Sequence, residues 1–255
     1  MLGSMSHSLA RNVSPEEIEL FNKLKEVGLL EDVLVQCELD LATLRAQIEA
    51  FRSRYVHAVG HLFAELDTLE HQAAELVAKR QPFDPESAER LRATQRRMDD
   101  SFREVSEAKG LSETFEPSDE LKKLYREAAK RFHPDRASDD ADCLRRTDLM
   151  AQVNVAYQRN DIENLRKIVA ADVNAPDAIE GEEVAFGLIR AIRRIAQVRG
   201  RLQAIAHEIA VLKSGDMYRL KTKVEAEEAA GRAPLEQLSL ELQKKVAEAR
   251  IILEQ

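Results

Sequence analysis

From Leu34 to Leu76 apolar residues recur in steps of three and four: Leu34, Cys37, Leu41, Leu44, Ile48, Phe51, Tyr55, Val59, Leu62, Leu66, Leu69, Ala73 and Leu76. A stripe this long and narrow is stable only as helix lying against helix, which closes most of the chain's other options at once. Two consecutive steps of four around Tyr55 form a stutter in the heptad, and a stutter predicts local unwinding of the helix there. No segment alternates with period two, so strands are not expected and the chain reads as all-α. Composition agrees: 33% charged residues, 5% aromatics, no Trp, and nine glycines and seven prolines in 255 residues fit long solvated helices.

Local signals divide the chain further. Ser14-Pro15-Glu16-Glu17 is a capping box with proline at the first helical position, and Gly28 is expected to end that short helix. Asp84 and Pro85 predict the start of a helix running to about Lys109, where Gly110 can stop it. This helix carries a thinner stripe (Leu91, Met98, Phe102, Val105) and is expected to fold back as an antiparallel hairpin. A second seam follows at Leu188, Ile192, Ile195, Leu202, Ile205, Ile209 and Leu212, broken at Ser214-Gly215 with Asp216 as the next N-cap. The last helix, after Gly231 to Pro234, carries Leu235, Leu238, Leu242, Val246 and Leu253. The expected organisation is a tail over 1–13 (its MLGSMS a leader left by expression), a helical coiled-coil hairpin over 14–110, a central module over 111–170, an acidic linker over 171–182 and a helical arm over 183–255.

The central module carries the chemistry. In LKKLYREAAKRF, Leu121, Leu124, Ala128 and Phe132 share one face, while Lys122, Lys123, Arg126, Lys130 and Arg131 surround it with Glu127 as the one acid. Pro134 excludes the helical region for His133, so the helix must end at about Phe132. Asp135 then presents an acceptor-only carboxylate suited to a partner guanidinium. A return helix is expected from Asp142 to Arg159, packing Leu144, Met150, Val153 and Tyr157 on the Leu121, Leu124 and Phe132 face. Asp161 can cap a short helix from Ile162 to Val169. A lone His and a lone Asp, without nucleophile or metal-spaced neighbours, make a docking surface rather than an active site.

This module resembles the J-domain of the DnaJ (Hsp40) co-chaperones over about a quarter of the chain. Tyr125 matches a tyrosine among the basic residues of that domain's second helix, and His133-Pro134-Asp135 matches its invariant motif. Arg136 matches the basic residue that often follows, and Val153-Asn154-Val155-Ala156-Tyr157 is similar to the third-helix pattern I/V-N-x-A-Y. The resemblance implies docking on an Hsp70 (DnaK-like) ATPase through Lys122, Lys123, Tyr125, Arg126, Lys130, His133, Pro134, Asp135 and Arg136. Asp135 would engage an arginine of the Hsp70, whose ATP hydrolysis is stimulated. Leu121, Leu124, Phe132, Val153, Asn154 and Tyr157 would hold the hairpin.

Glu127 departs from a position usually basic. The family's opening Tyr-x-x-Leu-Gly helix has no counterpart, so Asp99 to Lys109 or another arm has to cover the hairpin. The Gly/Phe-rich segment and CxxCxGxG repeats are absent, as in the members that keep only the J module. The arms are expected to recruit a client protein or form a homo-oligomer. The alternative is a coiled-coil scaffold in which the J-like hairpin is a structural spacer.

Arg190, Arg193, Arg194 and Arg201 lie along a helical stretch without acids, a candidate patch for an anionic partner. The net charge of −8 argues against the whole surface binding nucleic acid, and the patch lacks the interleaved aromatics that would stack bases, so nucleic acid is not expected there. His57, His61 and Glu65 have metal-like spacing but flank the seam with no further ligand. Cys37 and Cys143 have no ligand-like spacing, so no metal, cofactor or disulfide is expected, as in a reducing cytoplasm. No phosphate loop, nucleophile elbow or HExxH appears, so no enzyme is expected. No apolar run reaches membrane-spanning length.

Overall fold

The computed structural model describes residues 14–108, 110, 112–137, 139–171 and 184–254. The chain is all-α, with no strand among the described residues. The expected tail over 1–13 and nearly all of the expected acidic linker fall outside the described residues. In order the elements are α1 (Pro15–Tyr55), α2 (His61–Arg80), α3 (Pro85–Ala108), α4 (Asp119–Phe132), α5 (Asp140–Gln158), α6 (Ile162–Ala171), α7 (Val184–Ser214), α8 (Asp216–Ala229) and α9 (Pro234–Leu253). A π turn, Val56–Gly60, joins α1 to α2, and a 3-10 turn, Pro134–Arg136, follows α4.

These elements form two compact units. One holds α1 as far as Ala42, then α4, α5, α6 and α7 as far as Glu208. The other holds α1 from Thr43, then α2, α3, the end of α7 from Ile209, α8 and α9. The division cuts across the expected sequential segments. Each arm contributes to both units, and the central module, from Ser118 on, shares its unit with a piece of each arm.

In the unit of α2, α3, α8 and α9, the stutter at Tyr55 becomes the π turn, which absorbs the extra residue and buries Val56, Val59 and Gly60. A Cβ on Gly60 would lie 2.8 Å from Val56 Cγ1 and 3.3 Å from Val105 Cγ2, so glycine lets the turn approach α3 closely. Asp84 caps α3, its Oδ2 accepting from the Ser87 amide at 2.9 Å. The α3 seam differs from the expected stripe: Phe102 is 54% exposed, whereas Ser87, Thr94 and Ala108 are buried. Small residues alternate with Leu91, Met98 and Val105 along the packed face. Their hydroxyls are satisfied, Thr94 within its own helix by donating to the Arg90 and Leu91 carbonyls at 3.1 and 3.0 Å, and Ser101 across the hairpin by donating to Asp67 of α2. Phe51 packs with Val224 and Leu235, and Val59 and Leu62 pack with Leu242. Leu76, at the end of the expected seam, is exposed. His57 turns back on its own helix with Nδ1 2.8 Å from the Ser53 carbonyl, and Glu65 pairs with Arg250. Gly215, not Asp216, is the N-cap of α8.

In the other unit α1 begins at a reciprocal capping box. The Ser14 amide donates to the Glu17 carboxylate at 2.8 Å, and the Glu17 amide donates to Ser14 Oγ at 3.2 Å. The helix does not end at Gly28. A mid-helix glycine costs about 1 kcal/mol relative to alanine, less than is gained by burying Leu34, Leu39 and Leu41 beyond it. On α7 the packed face is Ala191, Ile195, Val198 and Ile205, and Ile192, placed on the seam by its side chain type, is 50% exposed.

Candidate functional site

The site is built on α4. Ser118 Oγ accepts from the Leu121 amide at 3.1 Å, Asp119 and Glu120 occupy the first turn, and Lys130 and Arg131 the last, so charge follows the helix dipole at both ends. The helix buries Leu121, Tyr125, Ala128, Ala129 and Phe132. Pro134 ends it with His133 at φ −58°, ψ 127°, outside the helical region. The turn closes on itself: the amides of Arg136 and Ala137 donate to the carbonyls of His133 and Pro134, each at 3.0 Å.

Asp139 Oδ1 caps α5, which returns against α4. The Tyr125 and Tyr157 rings lie 4.7 Å apart between centroids, and Tyr125 Oη donates to Asn154 Oδ1 at 2.9 Å. Tyr157 is fully buried, as is Val153 beside the pair. Arg146 Nη1 donates to the Arg131 carbonyl at 2.7 Å, satisfying one of the last carbonyls of α4. Asp161 caps α6 at the Asn164 amide, 2.9 Å. Leu144, expected on the hairpin face, is 70% exposed. It lies in the first turns of α5, whose buried side begins at Met150.

The hairpin is covered by α1, which belongs to the same arm as Asp99 to Lys109 and is neither that segment nor the other arm. His133 is 4% exposed. Its Nδ1 accepts from the Asp135 amide at 3.2 Å, which places the ring proton on Nε2, and Nε2 donates to Glu38 Oε1 at 3.2 Å. Arg201 of α7 meets the same buried carboxylate with Nε on Oε1 at 2.7 Å and Nη2 on Oε2 at 3.2 Å. Burial is the largest influence on Glu38 and pushes its carboxyl up, but the hydrogen bonds from His133 and Arg201 and the Arg201 charge together hold it below its ordinary value. Arg201 is itself pushed down by burial and, more strongly in sum, raised by Glu38 and Glu208.

The pattern repeats one heptad earlier. Arg194 places Nε and Nη2 on Glu31 Oε1 at 2.9 and 2.8 Å, and its Nη1 donates to the Asp135 carbonyl. Arg136 lies 3.4 Å from Glu31 Oε2, Lys130 pairs with Asp32 at 3.2 Å, and Arg126 donates to Gln36 Oε1 at 3.2 Å. Asp135 Oδ2 is buried and has no hydrogen-bond partner. Its neighbour His133 Nδ1, at 3.6 Å, is already an acceptor for the Asp135 amide.

The expected docking residues therefore divide. Lys123, Arg126, Lys130 and Arg136 are exposed and Lys122 is half-buried beside Asp119, as is Pro134. Tyr125, at 1% exposure, is a core residue of the hairpin, as are Leu121 and Phe132, with Leu124 half-buried. Of the candidate anionic-partner patch, Arg194 and Arg201 turn inward onto Glu31 and Glu38, leaving Arg190 and Arg193 at the surface. The anions that these arginines meet belong to the chain itself. Glu31, Asp32, Gln36 and Glu38 were not singled out in the sequence. One signal does mark them: Glu31 and Glu38 are seven residues apart, as are Arg194 and Arg201, the spacing of paired charges on two helices running the same way. Burial and the Asp40 and Glu38 carboxylates push the Cys37 thiol up, which suits packing rather than nucleophilic chemistry.

No family model matches the chain, and neither the curated proteins nor the solved structures contain a match to it. Among the described residues no helix is long and apolar enough to cross a membrane.

Proposed function

We propose that this chain is a co-chaperone of an Hsp70-type ATPase, docking through the α4–α5 hairpin and stimulating ATP hydrolysis in its partner. The observation that carries the reading is a basic helix ended by proline at a self-bonded His133-Pro134-Asp135 turn, with the return helix locked on it through Tyr125 and Asn154. Lys123, Arg126, Lys130 and Arg136 supply a cationic surface, and Asp135 supplies an acceptor for a guanidinium. The outward apolar residues of α1 (Ile18, Phe21, Leu29, Val33) support a role for the arms in holding a client or a second copy.

The test is single-turnover ATP hydrolysis by DnaK-type Hsp70s of the source cell at saturating co-chaperone, comparing wild type with Asp135→Asn. The reading expects stimulation that Asp135→Asn removes. It is overturned if neither wild type nor a variant with the motif uncovered stimulates any of them.

A second reading is favoured by the burial of His133 against Glu38: a scaffold in which the hairpin is a spacer. On that reading Asp135→Asn leaves function in the cell intact, and polar substitutions at Leu44 and Ile48 abolish it.

A further inference from the structure

We infer that residues 31–38 of α1, anchored by Arg194 and Arg201 of α7, are an intramolecular competitor that holds the His133-Pro134-Asp135 motif closed, so that this structure is the restrained state of the co-chaperone. The inference rests on the reading above and adds a regulation to its site. Arg126, His133, Lys130 and Arg136 are each met by an acceptor within one short stretch of α1: Gln36, Glu38, Asp32 and Glu31. An acidic partner surface would compete for the same groups.

The cover is built to release. Each carboxylate takes its shortest contact from α7, 2.8 Å at Glu31 and 2.7 Å at Glu38, with a second from the same guanidinium at 2.9 and 3.2 Å, whereas His133 and Arg136 contribute one contact each, at 3.2 and 3.4 Å. If the hairpin leaves, both carboxylates keep their arginines, so no buried charge is stranded on the α1–α7 pair. The contacts at the rim are exposed, and exposed pairs are individually weak.

Asp135 decides between a switch and a spacer. The closed state keeps Oδ2 buried without a hydrogen-bond partner while the rest of the side chain reaches solvent, a state that disfavours closure and that alanine would relieve. A purely structural turn has no use for that charge. A turn that opens onto a guanidinium does, because opening gives the carboxylate its donors.

The experiment uses the full chain with Glu31→Ala and Arg194→Ala combined, which removes the clamp at the Asp135 carbonyl while leaving the buried Glu38 in place. Amide exchange at Asp135 and Arg136 reports opening, and single-turnover hydrolysis by the partner Hsp70 reports its consequence. We expect faster exchange and stimulation raised about fivefold or more over wild type, the lower end of common coupling between sites. Asp135→Asn in the same background should remove the gain. Should the double variant lose its cooperative melt, Glu38→Gln, which preserves shape and removes charge, serves in its place. Equal stimulation by wild type and uncovered variant overturns the inference and leaves the co-chaperone reading standing. A gain that survives Asp135→Asn also overturns it, since the motif is then not what was uncovered. No stimulation by any form, with exchange at the motif raised, overturns both.

Discussion

The two units close their helices by different means. Around α2, α3, α8 and α9 the contacts are apolar and small side chains in register: Val59 and Leu62 against Leu242, Phe51 against Val224 and Leu235, and a face of α3 paved with Ser87, Thr94 and Ala108. Around α4, an equally dry hairpin core (Tyr125, Phe132, Val153, Tyr157) is covered by a helix that, beside its buried Leu34, Leu39 and Leu41, sets a buried carboxylate against the turn. Apolar burial is nearly indifferent to pH and salt and does not come apart piecemeal. A carboxylate holding a guanidinium and an imidazole depends on the charge of each member. The first kind of contact suits a joint meant to stay shut, the second a joint meant to answer to conditions or to a competitor.

The comparison breaks most severely in the hairpin core. Tyr125→Ala removes a fully buried ring and its hydrogen bond to Asn154, and should cost about 3–5 kcal/mol in urea denaturation. It should abolish any function of the motif, because α5 loses its seat.

Next is Glu38→Ala, which takes the acceptor from His133 Nε2 and leaves Arg201 with Glu208 alone, and should cost about 3 kcal/mol. Amide exchange should localise the loss to α4 and the motif while α2 and α3 stay protected. Acid tests the same residue. A carboxyl held below its unfolded value contributes stability that is complete above the ordinary value near 4.5 and is lost as pH falls through its folded value. Lowering the pH through that range should therefore loosen the cover of the motif, and Glu38→Gln should remove that step from a pH series of exchange rates.

In the other unit, Gly60→Ala sets a methyl 2.8 Å from Val56 Cγ1 and should cost about 1–3 kcal/mol, read as a lower melting midpoint with the motif's exchange unchanged. The smallest effect sharpens the contrast. Arg250→Ala removes a largely exposed pair with Glu65 and should shift stability by less than about 1 kcal/mol. An ion pair of similar appearance thus matters little on one unit's surface and greatly at the other's centre.

Much of this was legible in the chain. The capping box at Ser14, the cap at Asp84, the hairpin of α2 and α3, the end of α4 at Phe132 and the unwinding near Tyr55 all follow from signals that act within one turn of helix. What failed was of another kind. Gly28 was a plausible stop, but a glycine in a helix is a small cost that packing on either side overrides. Phe102 and Ile192 were placed on seams by hydrophobicity and are exposed, because the faces that pack are chosen by neighbours of the right size. On α3 those neighbours favour Thr94 and Ala108, which periodic hydrophobicity does not count.

The candidate site shows the same boundary. His133, Pro134 and Asp135 drew attention because proline's ring dictates where a helix must end, a constraint carried by three consecutive residues. The arginines of α7 look like a patch for an anionic partner in the sequence, because a sequence shows charge without showing what faces it. The sequence by itself determined that this chain is helical, where its helices begin and turn, and that a basic helix delivers a His-Pro-Asp turn. Only the tertiary structure decided that this turn is covered and that Glu31 and Glu38 are what Arg194 and Arg201 meet. Helix formation is governed by local bonds within a few residues, whereas pairing a buried charge requires two segments more than a hundred and fifty residues apart to meet, and only the folded chain sets that meeting.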